Sequence, residues 1–183
     1  MEAGQPNPGH DTRILLTYFQ VEESLVEAVI ERVKASLRLK IVSIGPREPP
    51  ETAFNSSRGQ YVSERILSWL RGFTARDRVF GLLNVDAYTP GLNFVFGQAE
   101  LGGQAAVVYL ARLNPEFYRE PFDEKLFLTR IVKETLHELG HLFGLRHCSR
   151  RCVMSFSNSV WDVDLKPEHY CSRCRARLER LGL

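Results

Sequence analysis

The segment HELGHLFGLRH, which covers residues 137–147, has the clearest potential for chemistry in this chain. Its first five residues form the pattern H-E-x-x-H, in which His137 and His141 lie one helical turn apart and project on the same side of a helix. Two imidazoles in this arrangement can bind one divalent metal ion. Because the five-residue pattern also arises by chance in unrelated helices, it does not decide the function alone.

The helix predicted around this motif, residues 123–145, favours the metal-binding interpretation. Its apolar side contains Leu128, Ile131, Val132, Thr135, Leu139, Leu142 and Phe143. His137 and His141 fall on the other side, next to Glu134 and Glu138. Histidines of a packed core would face the apolar side, so these two are predicted to line a polar, solvent-open face.

A third histidine completes the ligand set. His147 follows His137 by ten residues, which in a continued helix would be about 15 Å along the axis and too far to share one ion. The helix must therefore end before His147. Gly144 is the residue at which it can end, because glycine readily adopts the left-handed conformation that turns the chain back. The full pattern H-E-x-x-H-x-x-G-x-x-H thus predicts three histidine ligands around one metal.

Three neutral nitrogen ligands leave a fourth position on zinc for water, whose pKa the ion lowers from about 15.7 to roughly 7. Such a site is catalytic, because a structural zinc site is closed by four protein ligands. Glu138 follows the first ligand and can take a proton from this water during attack on a carbonyl. The predicted reaction is hydrolysis of peptide bonds, with Glu138 as the general base.

The chain has four cysteines, all near its end: Cys148, Cys152, Cys171 and Cys174. Their spacing, C-x3-C followed by C-x2-C, predicts a second, structural zinc ion held by four thiolates. The cofactor prediction is therefore two zinc ions, one catalytic and one structural. Disulfides or free thiols are the alternatives, whereas a thioredoxin-like redox pair at Cys171 and Cys174 is disfavoured because no strand precedes it.

Composition and charge limit which binding partners and which cellular compartment are expected. A chain of 183 residues fits one domain, and its net charge of +2 gives no global field for nucleic acid or membrane. Arginines surround the last cysteines, but no aromatic residues are interleaved with them for base stacking. Residues 1–11 lack the basic start and apolar run of a signal peptide. We therefore expect a cytoplasmic monomer that acts on a peptide or protein substrate.

Hydrophobic periodicity predicts an α/β (α+β) fold. Strands are expected at residues 14–19, 39–45, 79–85 and 105–110, and helices at residues 24–37, 60–70, 123–145 and 167–181. Residues 88–101 contain Pro90 and Gly91, which make this piece an edge strand or a structured loop. The predicted organisation is one domain over residues 1–183, with an N-terminal lobe (12–144) and a small zinc-clamped C-terminal lobe (145–183).

These motifs together resemble the archaemetzincins, a family of metzincin-type zinc peptidases. The resemblance rests on HELGHLFGLRH, on Met154 in C-x-M, on C-x-x-C, and on residues 84–113 before the active-site helix. It implies a twisted mixed sheet, an edge strand within residues 93–97 along the cleft, a turn with Met154 beneath the histidines, and a pocket wall at residues 155–161. The chain departs from the family in having three residues, not four, between its first two cysteines.

Two other functions share parts of this chemistry. The first is a zinc-stabilised protein-binding module whose catalytic motif is vestigial, but the presence of Glu138 argues against it. The second is an amide hydrolase that acts on non-peptide substrates and would differ only in the shape of its cleft. No tyrosine stands in an obvious place to stabilise an oxyanion, and Tyr170 is only a weak candidate.

Overall fold

The computed structural model describes residues 13–183, so the N-terminal residues 1–12 lie outside it. Within this part of the chain, the strands are β1 Arg13–Phe19, β2 Lys40–Pro46, β3 Phe54–Asn55, β4 Gln60–Val62, β5 Arg78–Leu83, β6 Ala87–Tyr88, β7 Gly97–Ala99 and β8 Ala105–Tyr109. The main sheet has the order β2-β1-β5-β8-β7, and only β7 runs antiparallel to its neighbour. A small sheet, β3-β4-β6, lies apart from it.

The helices cover both faces of the main sheet. They are α1 Glu23–Ser36, α2 Ser63–Arg71, α3 Glu124–Leu142, α4 Val160–Leu165 and α5 Ser172–Glu179. Along β1, Ile14 and Leu16 pack in the same core as α1 and α3, whereas Leu15 and Phe19 pack in the core on the α2 side. Successive side chains of a strand point to opposite faces, so both cores come from one alternating pattern. The predicted α/β fold with a mixed sheet is confirmed.

Several predicted boundaries need correction. The helix predicted at residues 60–70 begins at Ser63, because Gln60–Val62 pairs with β3 and β6. The predicted edge strand is present but is shifted: it runs over Gly97–Ala99 and begins at the last residue of the predicted range 93–97. The stretch before it is bonded to both sheets, since the Val95 N–H donates to the Ala87 carbonyl of β6 and the Phe96 carbonyl accepts from the Tyr109 N–H of β8.

The structure also differs from the prediction after the active-site motif. Helix α4, Val160–Leu165, lies in a stretch predicted to be irregular. The last helix is α5, Ser172–Glu179, and is shorter than the predicted range of residues 167–181. Among residues 13–183, no helix is both long and apolar enough to cross a membrane.

Candidate active site and metal centres

Helix α3 carries the first part of the site. The side chain of Asp123 accepts a hydrogen bond from Leu126 N–H at 2.9 Å and so caps the start of the helix. At its other end, Gly144 has φ of +84°. The Gly144 N–H donates to the His141 carbonyl and the Leu145 N–H to the Gly140 carbonyl, each at 2.8 Å. This pair of bonds is a Schellman motif, which ends the helix and turns the chain back as the sequence predicts.

The turn brings the three predicted histidines together. One side-chain nitrogen from each of His137, His141 and His147 lies within 4.8 Å of the other two. The Nε2 atoms of His137 and His141 are 3.1 Å apart. Two ligands of a tetrahedral zinc with bonds of about 2.0 Å are separated by about 3.3 Å, so this distance fits a shared ion.

Backbone carbonyls orient two of these rings. His137 Nδ1 lies 2.9 Å from the Val153 carbonyl oxygen, and His141 Nδ1 lies 2.7 Å from the Leu145 carbonyl oxygen. An Nδ1–H donated to a carbonyl leaves the Nε2 lone pair free for a metal. Burial lowers the pKa of all three histidines, that of His137 well below its usual value. They are therefore neutral at pH 7, as metal ligands must be.

Glu138 is buried beside the histidines, with 5% of its surface exposed. Desolvation raises its pKa well above the usual value, the nearby charge of Glu134 adds to the rise, and the charge of Lys166 opposes it. Strand β7 approaches closely: a Cβ on Gly97 would lie 2.6 Å from Glu138 Cγ. The carboxylate is thus held between the active-site helix and the edge strand.

A cleft of about 690 Å³ opens over these groups. One wall comes from β7 and the loop before it, including Leu92, Phe94 and Phe96. The opposite wall contains Phe156, Ser157 and Asn158, and Arg146 and His147 also line the space. The predicted pocket wall at residues 155–161 thus contributes its middle residues, while Trp161 is 59% exposed and lies outside the lining. Tyr170 does not line the cleft and donates instead to the Leu136 carbonyl.

Met154 lies beneath the histidines and is fully buried. A Cβ on Gly140 would come within 2.3 Å of Met154 Sδ, which places the thioether against the helix between His137 and His141. The neighbouring residue, Val153, supplies the carbonyl that orients His137. The turn containing Met154 therefore supports the site by packing and by a hydrogen bond.

The four cysteine sulfurs form a second cluster, all within 4.8 Å of one another, and none is in a disulfide. Cys148 Sγ and Cys171 Sγ are 3.8 Å apart, close to the spacing of about 3.8 Å expected for two thiolates on a zinc with bonds of about 2.3 Å. Desolvation raises the pKa of Cys171, but hydrogen bonds from the Cys174 N–H and the other thiols outweigh it and lower that pKa to about 7. The donor set and spacing both fit a closed tetrahedral zinc site, and the C-x3-C spacing does not prevent the cluster.

Sequence analysis missed Lys166, which lies at the back of the three-histidine group. Its Nζ is 2.6 Å from Glu134 Oε1 and 3.5 Å from His137 Nδ1. No motif links a lysine just after α4 to a histidine on α3. The only sequence signal was the polar Glu134 on the histidine side of α3, which implied that a charge partner had to come from elsewhere.

Several known proteins are similar to this chain in sequence and in fold. Residues 13–180 match the model of peptidase family M54. The archaemetzincin of Methanocaldococcus jannaschii is 50% identical over 135 residues, which cover 73% of this chain and 74% of that protein. The crystal structure of archaemetzincin from Methanopyrus kandleri has a TM-score of 0.83 at 43% identity, covering 93% of this chain and 95% of that one. A zinc-dependent peptidase from Methanocorpusculum labreanum has a TM-score of 0.83 at 30% identity, covering 90% and 99%.

Proposed function

The chain belongs to peptidase family M54, the archaemetzincins, and is a zinc metallopeptidase; from this premise we propose that it hydrolyses peptide bonds with Glu138 as the general base. The observation that carries the proposal is the position of the Glu138 carboxylate. It is buried on the same helix as His137 and His141, at the floor of an open cleft.

The geometry suggests a separate role for each of these residues in the reaction. His137, His141 and His147 would hold the catalytic zinc through one nitrogen each. An ion held there would supply Lewis-acid chemistry, lowering the pKa of a water molecule and polarising the substrate carbonyl. Glu138 takes a proton from the attacking water and passes it to the nitrogen of the leaving amine. Burial raises the pKa of Glu138 above its usual value, and this direction favours uptake of the proton from water.

The cleft suits an extended peptide. Within the described residues, β7 pairs with β8 on one side only, and β7 lines the cleft. A substrate main chain could hydrogen-bond to the free edge of β7, as peptides do when they add to a sheet edge. The apolar side chains of Leu92, Phe96 and Phe156 would contact substrate side chains on either wall.

We further propose that the four thiolates hold a structural zinc. Cys148 and Cys152 follow the active-site helix, while Cys171 and Cys174 lie at the start of α5. An ion on these four sulfurs would tie the segment that follows the active-site helix to the start of α5, and so would hold the C-terminal lobe, residues 145–183, in its fold beside the N-terminal lobe, residues 12–144, within one peptidase domain. A closed site with four thiolates would leave no open position for substrate.

Two substitutions test the catalytic assignment. Glu138→Gln should keep both zinc ions but lose hydrolysis, because glutamine preserves the shape and cannot accept the proton. His141→Ala should lose the catalytic zinc together with activity, since two nitrogens hold the ion poorly. Glu124→Gln, on the first turn of the same helix, is the matched control and should leave both unchanged. Zinc content and cleavage of a mixed peptide pool are measured on the same preparations.

The results separate the competing functions. If Glu138→Gln cleaved as fast as the native protein, Glu138 would not be the general base. If the native protein held both zinc ions and cleaved no peptide in the pool, the vestigial protein-binding module would be favoured. Cleavage of small amides without cleavage of peptides would favour the amide hydrolase.

A further inference from the structure

A buried ion pair lies directly behind the three histidines. Lys166 Nζ is 2.6 Å from Glu134 Oε1, and the two side chains are 2% and 4% exposed. Burial of an ion pair costs several kcal/mol of desolvation per ion, and apolar residues of similar volume are often at least as stabilising. Stability alone therefore gives little reason for this pair, and no step of the proposed mechanism uses it.

The ammonium group of Lys166 faces the back of His137. Its Nζ lies 3.5 Å from His137 Nδ1, which is also 2.9 Å from the Val153 carbonyl oxygen. The other ring nitrogen, Nε2, points toward His141. Because an Nδ1–H that donates to a carbonyl has no lone pair to offer an ammonium, Lys166 acts on His137 through its charge and not through a hydrogen bond.

The two charges of the pair act on the site in opposite directions. The charge of Lys166 contributes to lowering the pKa of all three histidines and of Glu138. The charge of Glu134 raises the pKa of Glu138 and of His147. A zinc ion at the histidines would experience the same two fields, repelled by the lysine and attracted by the glutamate.

Metal sites commonly place a carboxylate behind a ligating histidine, where it accepts the second ring N–H and strengthens the ligand. Here the Val153 carbonyl takes that place, the Lys166 ammonium lies beside it, and Glu134 Oε1 pairs with Lys166 Nζ. The Glu134 carboxylate is therefore paired with Lys166, and the Val153 carbonyl is the acceptor for the His137 ring N–H.

We propose that Lys166 and Glu134 form a charge-balancing pair that sets how tightly the three histidines hold the catalytic metal. Lys166 weakens the affinity, and Glu134 offsets most of this effect. The inference rests on the proposed function, because it takes the three histidines as metal ligands. Both members are positioning residues, since they act on the site through their charges and neither belongs to the three-histidine ligand set.

The proposal predicts that removing one member of the pair lowers the zinc Kd of the histidine site and that removing the other raises it. Lys166→Met removes the cation, so the zinc Kd of the histidine site should fall about tenfold, the lower end of the range for groups behind a metal ligand. Glu134→Gln leaves the cation uncompensated, so this Kd should rise about tenfold. The double variant should return near the native value. A pair with only a structural role would give weaker zinc binding in both single variants.

The experiment measures zinc Kd by competition with a chromophoric chelator, using full-length protein whose cysteine site keeps its zinc. Cobalt substitution then reports the ligand set, because cobalt on three histidines lacks the thiolate charge-transfer bands of the cysteine site. Arg32→Met is the matched control: it removes a cation that pairs with Glu168, two residues after Lys166. It should loosen the same segment slightly and leave the zinc Kd unchanged.

Each possible result supports or overturns the proposed charge-balancing pair. Opposite shifts in the single variants, with recovery in the double variant, support the pair; shifts in the same direction overturn it. If Lys166→Met fails to fold, recovery of the Kd from Glu134→Gln to the double variant supports the pair, and no recovery overturns it. If the histidine site of the native protein binds no zinc, the proposed function is overturned, and this inference is overturned with it. Native zinc binding and peptidase activity with same-sign shifts would reject this inference alone.

Discussion

Two glycines leave the space in which the catalytic groups pack. A Cβ on Gly97 would lie 2.6 Å from Glu138 Cγ and 2.8 Å from the Val107 carbonyl oxygen. A Cβ on Gly140 would lie 2.3 Å from Met154 Sδ. Contacts between carbon and other heavy atoms are normally about 3.5–4.0 Å, so neither position accepts a methyl group unless a neighbour moves. The two glycines lie on different sides of the site, and their substitution should therefore affect different properties.

Gly97→Ala should reduce the cleavage rate and leave zinc binding intact. The new methyl group meets the Glu138 side chain on one side and backbone on the other, so the flexible carboxylate has to move. A displacement of about 1 Å at a reacting group can cost about 10²-fold in rate. Steady-state kinetics should show the loss mainly in kcat, and zinc analysis should still give two ions per chain. An unchanged kcat would mean that strand β7, and not the Glu138 side chain, moves to accommodate the methyl group.

Gly140→Ala serves as the contrasting variant. Alanine normally stabilises a helix interior by about 1 kcal/mol relative to glycine. Here its methyl group would displace Met154, on which the helix rests between His137 and His141. We expect a lower melting temperature and weaker zinc binding, with kcat per bound zinc less affected than in Gly97→Ala. A melting temperature above the native value would show that Met154 has room to move.

At the scale of elements, α4 is fixed to the active-site helix by basic side chains. Arg130 is 1% exposed and donates two hydrogen bonds of 2.8 Å to the Asp164 carboxylate. Lys133 Nζ donates to the Val163 carbonyl at 3.0 Å and to the Asp164 carbonyl at 2.8 Å. These carbonyls lie at the C-terminal end of α4, where cations are favourable. The contacts position both the cleft wall before α4 and Lys166 after it.

This packing explains which parts of the molecule the sequence could predict. The ligand motif was readable because its constraints are local: a helix period and a glycine turn within eleven residues. Helix α4 was missed because its six residues are too few to show a period. Its capping box, Ser159 with Asp162, was present as a signal and could have revealed the start. Contacts between α3 and Lys166 depend on tertiary packing, which no spacing encodes.

The cysteine cluster joins the segment after α3 to the start of α5, so Cys171→Ser with Cys174→Ser should lower the melting temperature. For a domain of this size about 1 kcal/mol corresponds to about 2–4 °C, and loss of several kcal/mol of metal binding should lower the melting temperature by about 10 °C. Ser172→Ala, on the same turn of α5, is the control. A melting scan without change would refute the proposal that this cluster stabilises the C-terminal lobe.

At the scale of the whole molecule, adjacent residues serve the two centres. His147 belongs to the histidine group and Cys148 to the cysteine group. The Cys148 N–H also donates to the Met154 carbonyl, which lies beneath the histidines. The fixed cysteine cluster should therefore help to hold His147, the most exposed of the three histidines. Loss of the structural zinc is therefore expected to weaken zinc binding at the histidine site, and this coupling is reciprocal.

Stepwise metal removal should reveal this order. The histidine site opens onto the cleft and offers three neutral ligands, whereas Cys152 and Cys174 are buried and the cysteine site offers four thiolates. A mild chelator should therefore remove one zinc ion per chain first, with complete loss of cleavage and little change in melting temperature. Removal of the second ion needs stronger conditions, such as acid or a thiol reagent. It should lower the melting temperature and also prevent the histidine site from rebinding zinc at its native affinity.

Two measurements on one titration decide the outcome: zinc released to a chromophoric indicator, and the melting temperature of the protein that remains. His141→Ala is the reference for the intermediate, because it should start with one zinc ion and should melt close to the native protein that has lost its first ion. Zinc added back to that native intermediate should restore cleavage without refolding, since the fold has stayed intact. A fall in melting temperature with the first ion released would mean that the cysteine site loses its metal first. In that case the predicted order of metal affinity would be wrong, whereas the stabilising role of the cysteine site would stand, because loss of its ion would have lowered the melting temperature.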